Sequence, residues 1–368
     1  MDCTDAPVRL ELILICTRGD VNSCCRAPTV MGLLVFVHKR PEVEEAIVSR
    51  RSVVGVAVDA ALSAALVAPD AAGLRVDFGA VVESSGVDFL IVGGERLIRS
   101  RSNSVTIDPT VVATVIARHT ERVGLVVAAA PRREHPFNIA RRLASLDHGA
   151  HGRVGWLVGP FDYSTPRYEQ AWTTAGPLVS TVDAVAIARE LWGSWPAASI
   201  VSEADRGVFA ESERITYIDH VGAYSVSGPL NVPEPPQAQL PVFWRPLDAA
   251  ETAAARRTAD VVIVPNEAVA QGHRSSFDPD AARDQVLLVD RHWRPGAAID
   301  SDSAADGVIV HGMTVDSYRF VLGELARSSY FDDATPTLRD RLGLAWTESV
   351  TVGTRSMFPI DGAKGAAS

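Results

Sequence analysis

The sequence predicts a single (β/α)₈ barrel. Eight short apolar runs recur from residue 53 onward, segments with helical spacing lie between many of them, and no GxGxxG turn follows any run. The first two observations point to a buried, all-parallel sheet wrapped by helices. The third disfavours an open doubly wound sheet, which usually carries a glycine-rich first turn.

The first run is 53–58 (VVGVAV), with 32–38 (GLLVFVH) as an alternative first strand. The next runs are 88–93, 123–130 and 153–159, and helical spacing fills 110–122, 137–148 and 182–195. The last four are 241–245, 260–265, 285–290 and 307–312. Each is short, β-branched and apolar on both faces, as buried parallel strands are. Residues 215–236 read as a hairpin joined at Val221-Gly222, followed by a Pro-rich connection into the fifth strand. Residues 267–284 are polar and read as a loop with little helix. The organisation is an N-terminal extension (1–50), the barrel (51–350) and a C-terminal tail (351–368).

Composition narrows the function. The 368 residues carry a formal charge of -10, which argues against nucleic-acid binding, since phosphates call for a basic face. No apolar run reaches the roughly 18 residues of a membrane span, and Leu10–Cys16 follows acidic residues rather than the basic region of a secretory signal. All four cysteines lie within the first 25 residues, without metal-ligand spacing, so neither a zinc site nor a disulfide scaffold is expected. That contrast sets 1–50 apart as an appendage, with Met31 as an alternative start, and a reducing cytoplasm is the expected setting. There is no P-loop, GxSxG elbow or HExxH helix.

Three segments carry a resemblance: 136–156 (PFNIARRLASLDHGAHGRVGW), 191–195 (LWGSW) with 217–237, and 338–344 (LRDRLGL). In this order they resemble the bacterial luciferase-like flavin monooxygenases, in the branch acting on nitrilotriacetate and dibenzothiophene sulfone, of which this chain looks like a divergent, shortened member. The resemblance implies a (β/α)₈ barrel, commonly a homodimer. It also implies reduced FMN from a separate flavin reductase, and O₂ for oxygenating a small organic substrate. Within it, Asp147, His148 and Arg153 fall on the N-terminal face, where residues serve stability, and Trp156 and Trp192 read as core aromatics.

Barrel chemistry sits at the C-terminal strand ends. There the resemblance places Gly94 where the family has a flavin-facing Asp, with Glu95 the nearest acid, and Ala130-Pro131 where it has a Ser/Thr pair. Leu157 takes the place of an Asn at the flavin edge, and Asp248 stands where a Gly-Ser-Ser stretch cradles the FMN phosphate. The family's Arg-Tyr pair is not carried onto Arg167-Tyr168, because the spacing to Leu191 is longer, and the stretch between Val264 and Asp306, home of the substrate lid, is compressed.

Read from location, Arg245 and Arg132, with Arg133, stand at strand ends where guanidinium groups can clamp an anion. His311 ends the eighth strand as a candidate proton donor, and Asp162, Tyr163 and Asn266 are substrate-pocket candidates. The leading function is an FMN-dependent two-component monooxygenase, or a related oxidoreductase, acting on a small organic substrate. The alternatives are a non-catalytic paralogue or subunit with an eroded flavin site and, after it, an F420-dependent oxidoreductase.

Overall fold

The computed structural model describes residues 52–98, 107–164, 172–275, 285–296, 304–326, 337–345, 353 and 355–358. The N-terminal extension, the alternative strand 32–38 and Arg167-Tyr168 lie outside the described residues.

Eight parallel strands close into a barrel. They are β1 (Val53–Val58), β2 (Phe89–Val92), β3 (Gly124–Ala129), β4 (Val154–Val158), β5 (Val242–Trp244), β6 (Val261–Val264), β7 (Val286–His292) and β8 (Gly307–Met313). Each coincides with a run expected from the sequence, and the seam pairs β8 with β1. Gly307 permits that seam, since a Cβ there would fall 2.0 Å from the Val53 carbonyl oxygen.

Alternation along the strands divides the core in two. Val126, Leu157, Phe243, Ile263, Leu288 and Ile309 fill the barrel interior, with Phe89 and Phe243 meeting edge to face at 5.2 Å. The other face packs against helices α1 (Ala60–Val67), α2 (Ala72–Ser85), α3 (Pro109–Ala117), α4 (Pro136–Gly149), α5 (Pro177–Gly193), α6 (Ala249–Thr258), α7 (Glu267–Ser275) and α8 (Tyr318–Ala326). Helix α4 starts where His135 accepts from the Phe137 amide and Pro136 needs no donor partner. Its face Ile139-Ala140-Leu143-Ala144 is buried. Trp156 and Trp192 are core residues, stacked edge to face at 6.5 Å, with indole N–H groups donating to Ala129 and Ala140 carbonyls.

The polar reading of 267–284 is corrected by α7, which spans Glu267–Ser275. Asn266 caps it by accepting from the Val269 amide at 3.0 Å, and Ala270 and His273 bury one face. Cap and burial outweigh Gly272, a cost of about 1 kcal/mol in a helix. The expected hairpin is present as His220–Val221 paired with Ser225–Val226. A second ribbon, Ile200–Glu203 with Val208–Ala210, was not expected; its signal is the pair Ile200-Val201 followed by Asp205 and the turn glycine Gly207, at φ 63°, just before Val208.

The N-terminal face is closed by α9 (Leu338–Arg341), whose Leu338 joins the barrel interior. Asp147 is fully buried and accepts from the Val154 amide and from Gln237 Nε2, while Gln237 Oε1 accepts from the Arg339 amide. Through Gln237 these bonds tie all three sequence motifs together and give them a scaffold role. Burial pushes the Asp147 carboxyl up to about 7, against the pull of those bonds and of Arg153. The folded chain thus keeps this proton to neutrality, whereas the unfolded chain releases it near pH 4. The contribution of this one group to stability is full below about pH 4, is lost progressively as pH rises to about 7, and is flat beyond it. Asp147→Asn is expected to flatten this slope between pH 4 and 7, measured as denaturant midpoints; an unchanged slope would refute it. No helix among the described residues is long and apolar enough to cross a membrane.

Candidate functional site

Strand alternation decides which residues face the mouth. Phe243 points into the barrel, so Arg245, two residues on, does too; Leu288 carries Asp290 and His292 inward, and Ile309 carries His311. Ionisable groups from three strand ends thus gather over an apolar interior. Arg245 Nη2 donates to Asp290 Oδ1 at 2.8 Å, with both side chains largely buried. Arg245 Nε is buried with no hydrogen-bond partner among the described residues. The His311 and His292 rings meet edge to face at 5.0 Å.

Charge in this cluster is set by burial first. Burial lowers the His311 pKa, as do His292 and Arg245, while Asp290 opposes them, so the imidazole is neutral near pH 7 and can accept a proton. Burial raises the Asp290 carboxyl, and it outweighs the opposing pull of Arg245 and His311. Sequence reasoning singled out Arg245 and His311 but missed Asp290 and His292. Continuing the period of two from Val286 and Leu288 through the end of β7 would have found both.

Other candidates are placed at the same face with different surroundings. Gly94 opens a 3₁₀ turn after β2 and, with Leu97, Leu157, Gly159, Arg245 and Glu251, lines a cavity of about 10 Å³, the room of one water. Glu95 lies in that turn, its carboxyl raised by burial, with Asp59 and Asp162 adding and Arg96 opposing. Asp162 is held by Arg96 Nη2 at 2.6 Å and by the Ser164 amide at 2.9 Å. Burial would raise its pKa, but these bonds bring it below the ordinary range. Tyr163 donates its amide to the Arg96 carbonyl, and its ring lies 5.7 Å from that of Phe161.

Arg132 Nη1 donates to the Ala175 carbonyl, tying the β3–α4 loop to residues ahead of α5, and Arg133 is exposed. Asn266 caps α7 and Asp248 caps α6, accepting from the Glu251 amide at 2.8 Å. Among the described residues, no group of three His, Cys, Asp or Glu side chains is placed to hold a metal.

The described residues do not fit FMN. Leu157 is 1% exposed and packs with Leu97 in the interior cluster, where a flavin edge would need a polar partner. Asp248, at the place expected for a phosphate cradle, is an anion at the start of α6 and would repel a phosphate. Trp244 faces α6 instead, with Nε1 donating to Glu251.

Comparison with known proteins agrees with this architecture. Residues 54–283 match the family model of luciferase-like monooxygenases. The chain is 31% identical to a subunit of pristinamycin IIA synthase from Streptomyces pristinaespiralis, over 73% of its own length and 87% of that protein. It is also 31% identical to nitrilotriacetate monooxygenase component A of Aminobacter aminovorans, over 45% of its own length, but it spans only 38% of that relative. Among solved structures, EDTA monooxygenase from Chelativorans sp. BNC1 superposes with a TM-score of 0.60 at 15% identity, over 80% of this chain and 99% of that one, a likeness of fold.

Proposed function

The chain belongs to the luciferase-like monooxygenase family, and we propose that it serves a two-component, flavin-dependent monooxygenase as a supporting subunit. In this reading a catalytic partner chain holds the reduced FMN, delivered by a separate reductase, and oxygenates a small organic substrate with O₂. The carrying observation is at the mouth, where Leu97 and Leu157, both in the interior apolar cluster, line a cavity the size of one water. The position of Asp248 supports the same reading, as does similarity over 87% of a protein that is itself one subunit of a synthase.

A second reading, in which this chain itself takes reduced FMN, is favoured by Arg245. Its guanidinium is bound to Asp290 through Nη2 alone, and its buried Nε is without a partner among the described residues.

Titration of the purified chain with FMN, anaerobically reduced FMN and F420 separates the readings. A ligand at 100 times its Kd stabilises the native state by about 2.7 kcal/mol. No change in thermal stability or flavin fluorescence is expected with any of the three. Stabilisation by reduced FMN would overturn the supporting-subunit reading, and stabilisation by F420 alone would move the chain to the deazaflavin enzymes.

A further inference from the structure

The hairpin His220–Val226 is attached to α5 by one imidazole held between two carboxylates. His220 Nε2 lies 3.0 Å from Asp183 Oδ1, and Nδ1 lies 3.1 Å from both oxygens of Glu190. A neutral imidazole has one N–H and one lone pair, so it can donate to only one of these carboxylates. Both contacts are attractive only when the ring carries two protons.

The anchor extends into the turn. Asp183 Oδ2 accepts from the Tyr224 amide at 2.9 Å, and Gly222 lies so close to Asp183 that a Cβ would fall 2.2 Å from its carboxylate oxygen. From there the hairpin reaches the barrel mouth. Tyr224 Oη donates to the Pro131 carbonyl at 3.4 Å, and its ring meets that of His135, which in turn meets Trp172. Pro131 and His135 delimit the β3–α4 loop that carries Arg132 and Arg133.

We propose that His220 is a proton-operated latch, tying the hairpin, and through Tyr224 the β3–α4 loop at the barrel mouth, to helix α5. Protonated, it bridges Asp183 and Glu190; deprotonated, it leaves a lone pair facing a carboxylate and two acidic groups with no cation between them. The hairpin then loosens, and the loop bearing Arg132 and Arg133 loses its support.

The charged surroundings favour this. Asp183 and Glu190 are the α5 groups that face the ring. Arg189, next to Glu190, is paired with Asp260, and Asp219, next to His220, is held by Arg355. On the loop side, His135 faces Tyr224. Burial lowers the His220 pKa, but the bonds to Asp183 and Glu190 outweigh it and leave the ring above its ordinary value. The latch is therefore closed at acid pH and released as pH rises through that elevated value.

The test is an NMR titration of the His220 ring in the full chain, with amide hydrogen exchange followed from pH 6 to 9. After correction for intrinsic rates, exchange at Gly222 and Tyr224 is expected to rise roughly tenfold, and exchange at Arg132–His135 to rise with the same midpoint. Glu190→Gln should lower the midpoint, and His220→Gln should give a flat profile. Where His220→Gln does not fold, the Glu190→Gln midpoint decides, and an unchanged midpoint overturns the latch. Ring titration without a change in hairpin exchange also overturns it, as does a change confined to the hairpin that never reaches Arg132–His135.

Discussion

Arg153→Met is expected to lower the unfolding free energy by about 3–5 kcal/mol, a loss large enough to threaten folding outright. Arg153 is 2% exposed, and its guanidinium donates to the carbonyls of Ala150, Thr120 and Val123, at 2.8, 2.9 and 2.5 Å. These carbonyls belong to the connections entering β3 and β4, so one side chain gathers the starts of two neighbouring strands. Methionine fills similar volume but donates nothing, and each buried carbonyl left without a partner costs about 1–3 kcal/mol. Urea denaturation of both proteins measures the difference; a loss below about 1 kcal/mol would mean that the carbonyls find other donors.

At the other end of the barrel, Arg245→Met is expected to destabilise the fold by about 2–3 kcal/mol where Asp290 is ionised and by much less where it is protonated. Removing one partner of a fully buried pair costs about 3–5 kcal/mol, and partial exposure of 16% and 18% for Arg245 and Asp290 reduces that through solvent screening. The pH dependence follows from Asp290. Burial already raises its carboxyl, and without Arg245 the pKa climbs further. The variant therefore carries an unpaired buried anion above that pKa and a neutral acid below it, so the loss shrinks as pH falls. His311 gives a second readout, because Arg245 helps to lower its pKa and the variant's imidazole should titrate higher. A loss of stability that stays constant across a pH series spanning the Asp290 titration would show that Arg245 contributes packing rather than charge.

The positions that carry these two effects were unequally legible. Arg153 sits in the strongest family-like motif, and its placement before the fourth strand already marks the stable face of a barrel. Arg245 and His311 were found because each ends an apolar run. Asp290 and His292 were missed because the apolar run stops where β7 does not, and only alternation places the next residues inward. Asp162, Asn266 and Asp248 show the opposite limit. Each stands at a strand end, as expected, yet Asp162 is held by Arg96, 66 residues away, and the other two cap the helices that follow them. A sequence locates a side chain along the chain, whereas its partner depends on which strands the barrel makes neighbours.

The barrel itself is what the sequence alone determined. Strands buried on both faces must be apolar throughout, so each leaves a local signature that survives without any knowledge of its neighbours. The tertiary structure decided which polar groups converge at the mouth, that Leu97 and Leu157 line its small cavity, and that His220 lies between Asp183 and Glu190. Those arrangements depend on distances between segments far apart in the chain, and charge, burial and proton affinity are properties of such distances rather than of residue type.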